Sequence, residues 1–271
     1  MSYRKSYNAR ASKGTSGSSY REVNCLSLEE DPMQRRLVTS AITAALCGTT
    51  LAGTATSASA APPLTVDCRK VKCVALTFDD GPVADTQRLL RILNDRNVRA
   101  TFYVVGKNVQ KNPATVRSAA LAGHQIGNHS WDHADLTKLS TAKIKSQFSR
   151  TDTAIKQATG TKPTTVRAPY GAHNAAVRTA AGRPLVHWSI DTLDWKYRDT
   201  ARLIKTVNAQ TRPGDIVLMH DIHKTTVDAV PGIIKALKAR GFHFVTVDQL
   251  FAPSKLPAGK VTYHNRGAYR P

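Results

Sequence analysis

Short apolar segments alternate with amphipathic helical segments from residue 73 to residue 247, and this alternation limits the possible folds more than any other feature of the chain. Residues 74–78 are an apolar run of strand length, and three leucines within residues 86–97 are spaced as one face of a helix. Strands that alternate with helices pair in parallel through right-handed crossovers. About seven such units predict an α/β fold, either a (β/α) barrel, incomplete or closed, or an open doubly wound sheet.

The same pattern places the remaining elements. Further strands are predicted over residues 100–105, 124–127, 164–167, 185–190, 216–219 and 242–247. Further helices are predicted over residues 113–121, 141–158, 174–180, 200–210 and 227–240.

Chemically reactive side chains follow five of the predicted strands. In a parallel barrel all strand C-termini open onto one face, where active sites form, so this placement favours the barrel over the open sheet. The residues concerned are Asp79 and Asp80, His129 and His133, Arg167 and Tyr170, Asp191, Asp194 and Trp195, and His220 and Asp221.

An acid pair and a histidine pair together predict a metal site. Asp79 and Asp80 repel each other unless something pairs them, and successive strand side chains point in different directions. One can therefore bind a metal while the other transfers a proton; the alternative is that one acid only caps the turn at residues 81–82. His129 and His133 are four residues apart, and two histidines with one carboxylate leave a coordination position for water, the pattern of catalytic zinc.

The remaining polar residues supply the parts of a hydrolysis reaction. Arg167 could keep a neighbouring carboxylate charged, and the rigid loop at residues 169–171 could direct a backbone N–H at an oxyanion. His220 could protonate a leaving group if Asp191 or Asp194 held its imidazolium form. The residues alone leave open which of the two acids does so.

Each of these residues also has a purely structural interpretation. Arg167 and Asp194 could form ion pairs that only stabilise the fold, and His220 could be a hydrogen-bonded core residue. Trp195 could belong to the core or form a platform for a sugar ring.

The charge of the chain bears on its partners. There are 39 Lys and Arg against 19 Asp and Glu, a formal charge of +20. Such an excess suits nucleic acid, an anionic cell envelope or solubility alone. The cations are scattered and no nucleic-acid-binding motif is present, so we expect no nucleic-acid partner.

Residues 33–60 predict a secretory signal. Residues 33–36 give a start and a basic region, residues 37–51 are uncharged and largely apolar, and residues 58–60 (Ala-Ser-Ala) form a small-residue cleavage site. The apolar stretch is too short for a good membrane span, so we expect none after cleavage; a buried helix is the alternative. Residues 1–32 are then a long n-region or an extension before the true start.

Two cysteines remain after residue 60. Cys68 and Cys73 are an even pair in an oxidising compartment, which predicts a disulfide that closes a small loop before the first strand. The alternative is two free buried thiols.

Five segments together resemble the polysaccharide deacetylase family with the NodB homology domain, carbohydrate esterase family 4. They occur in the family's order and span about residues 70–250. The resemblance implies one catalytic domain over residues 61–271 with a distorted (β/α)7-8 barrel, and we expect a monomer. The segments are residues 77–81, 129–133, 167–171, 191–195 and 218–220.

The resemblance also implies a role for each site residue. A divalent metal, most often zinc with cobalt or manganese as alternatives, would be held by Asp80, His129 and His133. Asp79 would be the general base that activates the water, oriented by Arg167.

The resemblance also makes His220 the general acid and favours Asp194 over Asp191 as the group that tunes the pKa of His220. The backbone N–H of Tyr170 would stabilise the oxyanion. Trp195 and Leu218 would line the pocket for the acetyl methyl.

The substrate implied is an acetylated polysaccharide: N-acetylglucosamine in peptidoglycan or chitin oligomers, or O-acetylated xylan. After residue 60 the chain holds 32 Lys and Arg against 15 Asp and Glu, a charge of +17 that favours an anionic wall and hence peptidoglycan. The protein would be secreted or wall-associated. The alternative is a non-catalytic wall- or carbohydrate-binding protein on the same fold, which would not require every catalytic residue.

Overall fold

The central strand of the fold, β1 (Cys73–Asp79), is buried along all seven residues in a computed structural model that describes residues 66–266 and Ala268. One edge of β1 pairs in parallel with β6 (Asp215–His220). The other edge pairs with β7 (His243–Phe244) near its start and with β2 (Thr101–Val104) at its end. Burial on both faces explains why β1 is a continuous apolar run.

The strands close into a distorted (β/α) barrel. β2 pairs with β3 (Gln125–Asn128), and β6 pairs with β5 (Ile190–Asp191). Single parallel bridges through Val166 connect β3 to β4 (Leu185–Val186). Because only residues 187–189 separate β4 from β5, the chain itself completes the ring; β8 (Val261–Thr262) pairs with β4.

Helices surround the strands, and a 3₁₀ turn follows the Val166 bridge at Pro169–Gly171. Another 3₁₀ turn lies at Leu136–Lys138. The helices are α1 (Ala84–Asn94), α2 (Gly106–Lys111), α3 (Pro113–Leu121), α4 (Thr141–Thr159), α5 (Ala175–Ala181), α6 (Asp194–Tyr197), α7 (Thr200–Gln210), α8 (Lys224–Ala239) and α9 (Val247–Phe251).

The alternation of side chains along β1 separates the core from the site. Leu76 and Phe78 pack outward in the main hydrophobic cluster with residues of α1 and α8. Thr77 and Asp79 lie on the other face, where both accept hydrogen bonds from Arg167. The two-residue period of a strand therefore directs Asp79 into the barrel interior.

A disulfide joins Cys68 to Cys73 at the entrance to β1, with 5.4 Å between the Cα atoms. Both cysteines are buried. The five-residue separation makes this a local loop that leads directly into the central strand.

The regular elements agree with the sequence pattern, and the irregular ones do not. The predicted helices at 113–121 and 200–210 have the observed bounds. The predicted strand at 164–167 is only a bridge at Val166, because one residue carries the whole connection. The predicted strand at 185–190 is two short strands, and that at 242–247 ends early because α9 begins at Val247.

The predictions of a secretory signal and of no membrane span concern different parts of the chain. The secretory signal at residues 33–60, with the segment before it, lies outside the described residues. Within the described residues, none of the helices has the length and apolar character needed to cross a bilayer.

Candidate active site

The carboxyl ends of the strands surround a cavity of about 370 Å³. Every predicted catalytic, metal-binding and pocket residue except the two buried supports, Arg167 and Asp194, lines it. The lining residues are Asp79, Asp80, His129, His133, Tyr170, Trp188, Asp191, Trp195, Leu218 and His220.

Asp79 forms one side of the cavity and is paired inside the barrel. Its side chain is almost fully buried, and Oδ1 accepts a 2.8 Å hydrogen bond from Nη1 of Arg167. Its other oxygen, Oδ2, lies 3.7 Å from Nε2 of His129. The ion pair with this buried guanidinium fixes the position of the Asp79 carboxylate.

Arg167 is fully buried and its charge is satisfied on several sides. Nε donates to the carbonyl of Val186, Nη2 donates to the carbonyl of His187, and Nη1 donates to both Thr77 Oγ1 and Asp79. The guanidinium carbon also lies 4.2 Å from the centre of the Tyr103 ring. A buried cation with this many acceptors has one fixed position.

Three potential metal ligands converge beside Asp79. One ligand atom each of Asp80, His129 and His133 lies within 4.8 Å of the others. Oδ1 of Asp80 is 3.4 Å from Nε2 of His129 and 3.3 Å from Nε2 of His133. This oxygen is buried and has no hydrogen-bond partner among the described residues, which is costly unless a cation occupies the space between the three atoms.

The hydrogen bonding of His129 leaves its ligand atom free. Nδ1 lies 2.8 Å from the carbonyl oxygen of Arg167, which can only accept, so Nδ1 carries the proton and Nε2 offers a lone pair toward Asp80. A ring nitrogen that donates to a carbonyl while the other faces a metal is the usual arrangement of a histidine ligand. The residue types and the tautomer therefore fit a divalent cation.

The charges of the trio also favour a cation. Burial raises the pKa of the Asp80 carboxyl, but the imidazoles of His129, His133 and His220 outweigh burial and hold that pKa below its usual range. Burial lowers the pKa of His129, but Asp79 and Asp80 outweigh it and the pKa lies above its usual value. A proton on His129 consequently competes with a metal ion for this site.

The backbone is strained where it presents these ligands. Asp80 has φ 77°, Ser130 has φ 66° and His133 has φ 61°, all in the left-handed region. The backbone N–H of His133 donates to Ser130 Oγ, which holds the turn in place. Such strain costs of order 1–3 kcal/mol per residue and is concentrated at functional sites.

Asp194 and His220 form a second pair at the cavity, which His220 lines. His220 Nδ1 lies 2.8 Å from Asp194 Oδ1, and the other Asp194 oxygen accepts from the backbone N–H of His220 and from Thr226 Oγ1. Burial would lower the pKa of His220, but Asp194, and more weakly Asp79 and Asp80, raise it to about 9. His220 is therefore protonated at neutral pH and can donate a proton.

Asp191 is not the carboxylate that pairs with His220. Its Oδ1 accepts the backbone N–H of Leu193, whereas Asp194 at the start of α6 turns back to His220. The geometry thus selects Asp194 from the two acids that the residues alone left open.

Tyr170 and Trp195 form the exposed rim of the cavity, with side chains 68% and 49% exposed. Tyr170 has φ 61° inside the 3₁₀ turn. The hydrogen bonds of this turn come from Gly171 and Ala172, so the Tyr170 N–H is not used by it. Leu218 is buried in β6 and supplies an apolar wall.

Sequence reasoning missed two neighbours of the site. Trp188 lines the cavity, but it lies in the irregular stretch between β4 and β5 and carries no pattern. Thr226 contacts Asp194 from α8, and only the fold brings them together.

Asp221 also lies close to the site and was noted only for its position after a strand. It is fully buried, accepts a 2.6 Å hydrogen bond from Thr86 Oγ1, and burial raises its pKa to about 7. A Cβ at Gly81 would lie 2.4 Å from Asp221 Oδ2, which explains the need for glycine after the acid pair.

Comparison with known proteins agrees with this geometry. Residues 67–183 match the family described as polysaccharide deacetylase. The chain is 47% identical over 190 residues to the peptidoglycan-N-acetylglucosamine deacetylase PgdA of Listeria monocytogenes, which covers 70% of this chain and 41% of that protein. It is 36% identical to a peptidoglycan-N-acetylglucosamine deacetylase of Bacillus cereus over 67% of this chain and 69% of that protein.

A solved structure supports the same fold. The structure described as "T48 deacetylase with substrate" superposes with a TM-score of 0.71 at 48% identity and covers 73% of this chain and 99% of its own. The chain spans about two fifths of the length of the Listeria relative.

Proposed function

The chain belongs to the polysaccharide deacetylase family, and on that basis we propose that it is a metal-dependent hydrolase that removes acetyl groups from a polysaccharide. One observation carries this proposal. A single cavity has the ligand atoms of Asp80, His129 and His133 within 4.8 Å of one another, and Asp79, which is paired with Arg167, and His220, which is paired with Asp194, line the same cavity. Hydrolysis of an acetyl group requires these parts in one place.

The metal is a divalent cation held by Asp80, His129 and His133, and we propose zinc. Two imidazoles and one carboxylate are a common zinc ligand set, while cobalt and manganese are the alternatives. When bound, the cation lowers the pKa of a water molecule and polarises the acetyl carbonyl.

Asp79 acts as the general base. Its ionised carboxylate, held by Arg167, accepts the proton of the attacking water. Arg167 is a positioning residue, since it contacts Asp79 and the barrel wall rather than the substrate.

His220 acts as the general acid and donates its proton to the departing amine or alkoxide. Asp194 is the positioning residue that keeps His220 protonated. The free N–H of Tyr170 stabilises the negative charge on the acetyl oxygen, a contribution of about a hundredfold or more in rate for one such donor. Trp195 and Leu218 enclose the acetyl methyl.

The substrate is an N-acetylglucosamine polymer, peptidoglycan in preference to chitin oligomers or O-acetylated xylan. Two relatives are named peptidoglycan-N-acetylglucosamine deacetylases, and the +17 charge after residue 60 attracts an anionic wall. The protein acts as a monomer outside the cell, which agrees with the secretory pattern of residues 33–60.

The test is acetate release from N-acetylglucosamine oligomers and from peptidoglycan. Release should stop with a chelator and return with zinc, and Asp79→Asn should retain the metal with turnover reduced by about a thousandfold. Substantial turnover by Asp79→Asn would remove the base assignment. Glycan binding without acetate release in the zinc-loaded protein would instead identify a non-catalytic wall-binding protein.

A further inference from the structure

Arg198 holds an exposed guanidinium in a fixed position next to the cavity. Its Nε donates a 2.8 Å hydrogen bond to the carbonyl of Trp195, and its Nη1 lies 2.5 Å from Nδ1 of His223. Trp195 lines the cavity, and the His223 ring lies 5.9 Å from the ring of His220. Both anchors of Arg198 therefore belong to the wall that carries the proton donor.

Arg198 has no carboxylate partner among the described residues. Arg88, by contrast, pairs with both Asp85 and Asp228. The carboxylate next in sequence, Asp199, is used to cap α7 and accepts the backbone N–H of Arg202. A guanidinium has five N–H donors, and the two anchors use two of them, so the remaining donors are available to a ligand.

His223 accepts a hydrogen bond from Arg198 as a neutral imidazole and does not neutralise the arginine's charge. Arginine can only donate, so Nδ1 of His223 accepts and the imidazole is neutral. Burial, and then the Arg198 charge, lower the pKa of His223, which favours the neutral imidazole. The exposed residue Arg198 also has φ 51°, a left-handed backbone that costs energy for a side chain of this size.

We propose that Arg198 binds a carboxylate on the sugar adjacent to the one that is deacetylated. The proposal rests on the proposed function and adds a specificity residue to it. A fixed, unpaired guanidinium binds carboxylates with two parallel hydrogen bonds, which a neutral hydroxyl cannot match. Because Arg198 lies beside the cavity and not among its lining residues, the carboxylate belongs to a neighbouring sugar.

Two kinds of sugar carry such a carboxylate: muramic acid, on its lactyl ether, and a uronic acid. Four oligosaccharides separate them: a muramyl-containing tetrasaccharide without peptide, the same molecule with its lactyl carboxyls converted to methylamides, an N-acetylglucosamine tetramer, and an acetylated xylo-oligosaccharide with glucuronate. The amide derivative is the matched neutral control. Catalytic efficiency and the dissociation constant by calorimetry are both measured.

The variant is Arg198→Gln, and the matched control is Lys196→Gln, which removes one exposed positive charge from α6, two residues before Arg198, and leaves the hydrogen bonds of Arg198 to Trp195 and His223 in place. In Arg198→Gln the ratio of kcat/KM for the acid to that for its amide should fall about five- to tenfold, and the ratio of the dissociation constant for the acid to that for its amide should rise by about the same factor. Lys196→Gln should leave both ratios within about twofold. A response to glucuronate instead of the lactyl group identifies a uronic acid as the source.

Equal losses on acid and amide would show that Arg198 only supports the Trp195 loop, and equal ratios in both variants would show general charge attraction. Either result overturns the proposal. If the wild type releases no acetate from any glycan, the proposed function fails, but the calorimetric ratio still decides whether Arg198 binds the carboxylate.

Discussion

Two carboxylates at the cavity, Asp80 in its lining and Asp194 behind His220, differ in how their oxygens are satisfied. Asp194 accepts four hydrogen bonds, from the N–H of Trp195, the N–H and Nδ1 of His220, and Thr226 Oγ1. Oδ1 of Asp80 has none among the described residues and faces two imidazoles. The Asp194 carboxylate is thus satisfied by groups of the protein, whereas Oδ1 of Asp80 would be satisfied only by the cation that we propose.

This difference has a physical origin in what each side must do. A proton donor has to be held in one protonation state, and the four hydrogen bonds to Asp194 keep that carboxylate charged beside His220. A metal ligand has to keep its lone pairs unused, and Oδ1 of Asp80 accepts no hydrogen bond among the described residues. Asp80 and His133 also both have a left-handed backbone, which costs energy.

Asp80→Ala should have the largest effect, because it removes the carboxylate whose Oδ1 has no hydrogen-bond partner among the described residues. The variant should lose bound metal and at least about a thousandfold in kcat/KM, since polarisation by the cation contributes several kcal/mol. Metal content by mass spectrometry and the rise in Tm on zinc addition measure this, and both should vanish. Retention of a stoichiometric metal would show that Asp80 is not a ligand.

Asp194→Asn should have a smaller effect, of about a hundredfold in kcat, and should retain the metal. Asp194 raises the pKa of His220 to about 9, so wild-type activity should fall as the pH rises through that value and the imidazolium deprotonates. Without the carboxylate the pKa of His220 drops, and the alkaline limb of the pH–rate profile should move to lower pH. An unchanged alkaline limb would assign it to another group.

Thr226→Val should have the smallest effect, because it removes one of four donors and preserves the shape of the side chain. Loss of one hydrogen bond to a charged group should reduce kcat about three- to tenfold and destabilise the fold by about 1–2 kcal/mol in urea unfolding. The alkaline limb should stay near its wild-type position, because the Asp194 carboxylate that raises the pKa of His220 remains in place. A loss as large as that of Asp194→Asn would mean that the four donors act as one unit.

The sequence predicted the regular half of the barrel and the residues that follow its strands. β1 and the acid pair after it were identifiable because an apolar run ends in two carboxylates, and the resemblance then assigned their roles. The choice of Asp194 over Asp191 was undetermined from the residues alone, because it depends on how α6 turns Asp194 back toward His220.

The irregular half escaped prediction for a different reason. Val166, β4 and β5 contribute one or two paired residues each, too few for any periodicity to show. The contacts of Thr226 with Asp194 and of Arg198 with His223 span 32 and 25 residues, so they exist only once the helices are packed. These supporting contacts leave no local pattern.

Arg167 makes the chemistry depend on the closure of the barrel. Its side chain holds the carbonyls of Val186 and His187, in the segment that completes the ring of strands, and the carboxylate of Asp79 at the same time. An opening of that segment withdraws two acceptors from the buried guanidinium and frees it to move away from Asp79. The segment that completes the ring of strands and Asp79, the proton acceptor that we propose, are therefore held by the same guanidinium. A local opening of that segment should then lower activity without any change in a residue that contacts substrate.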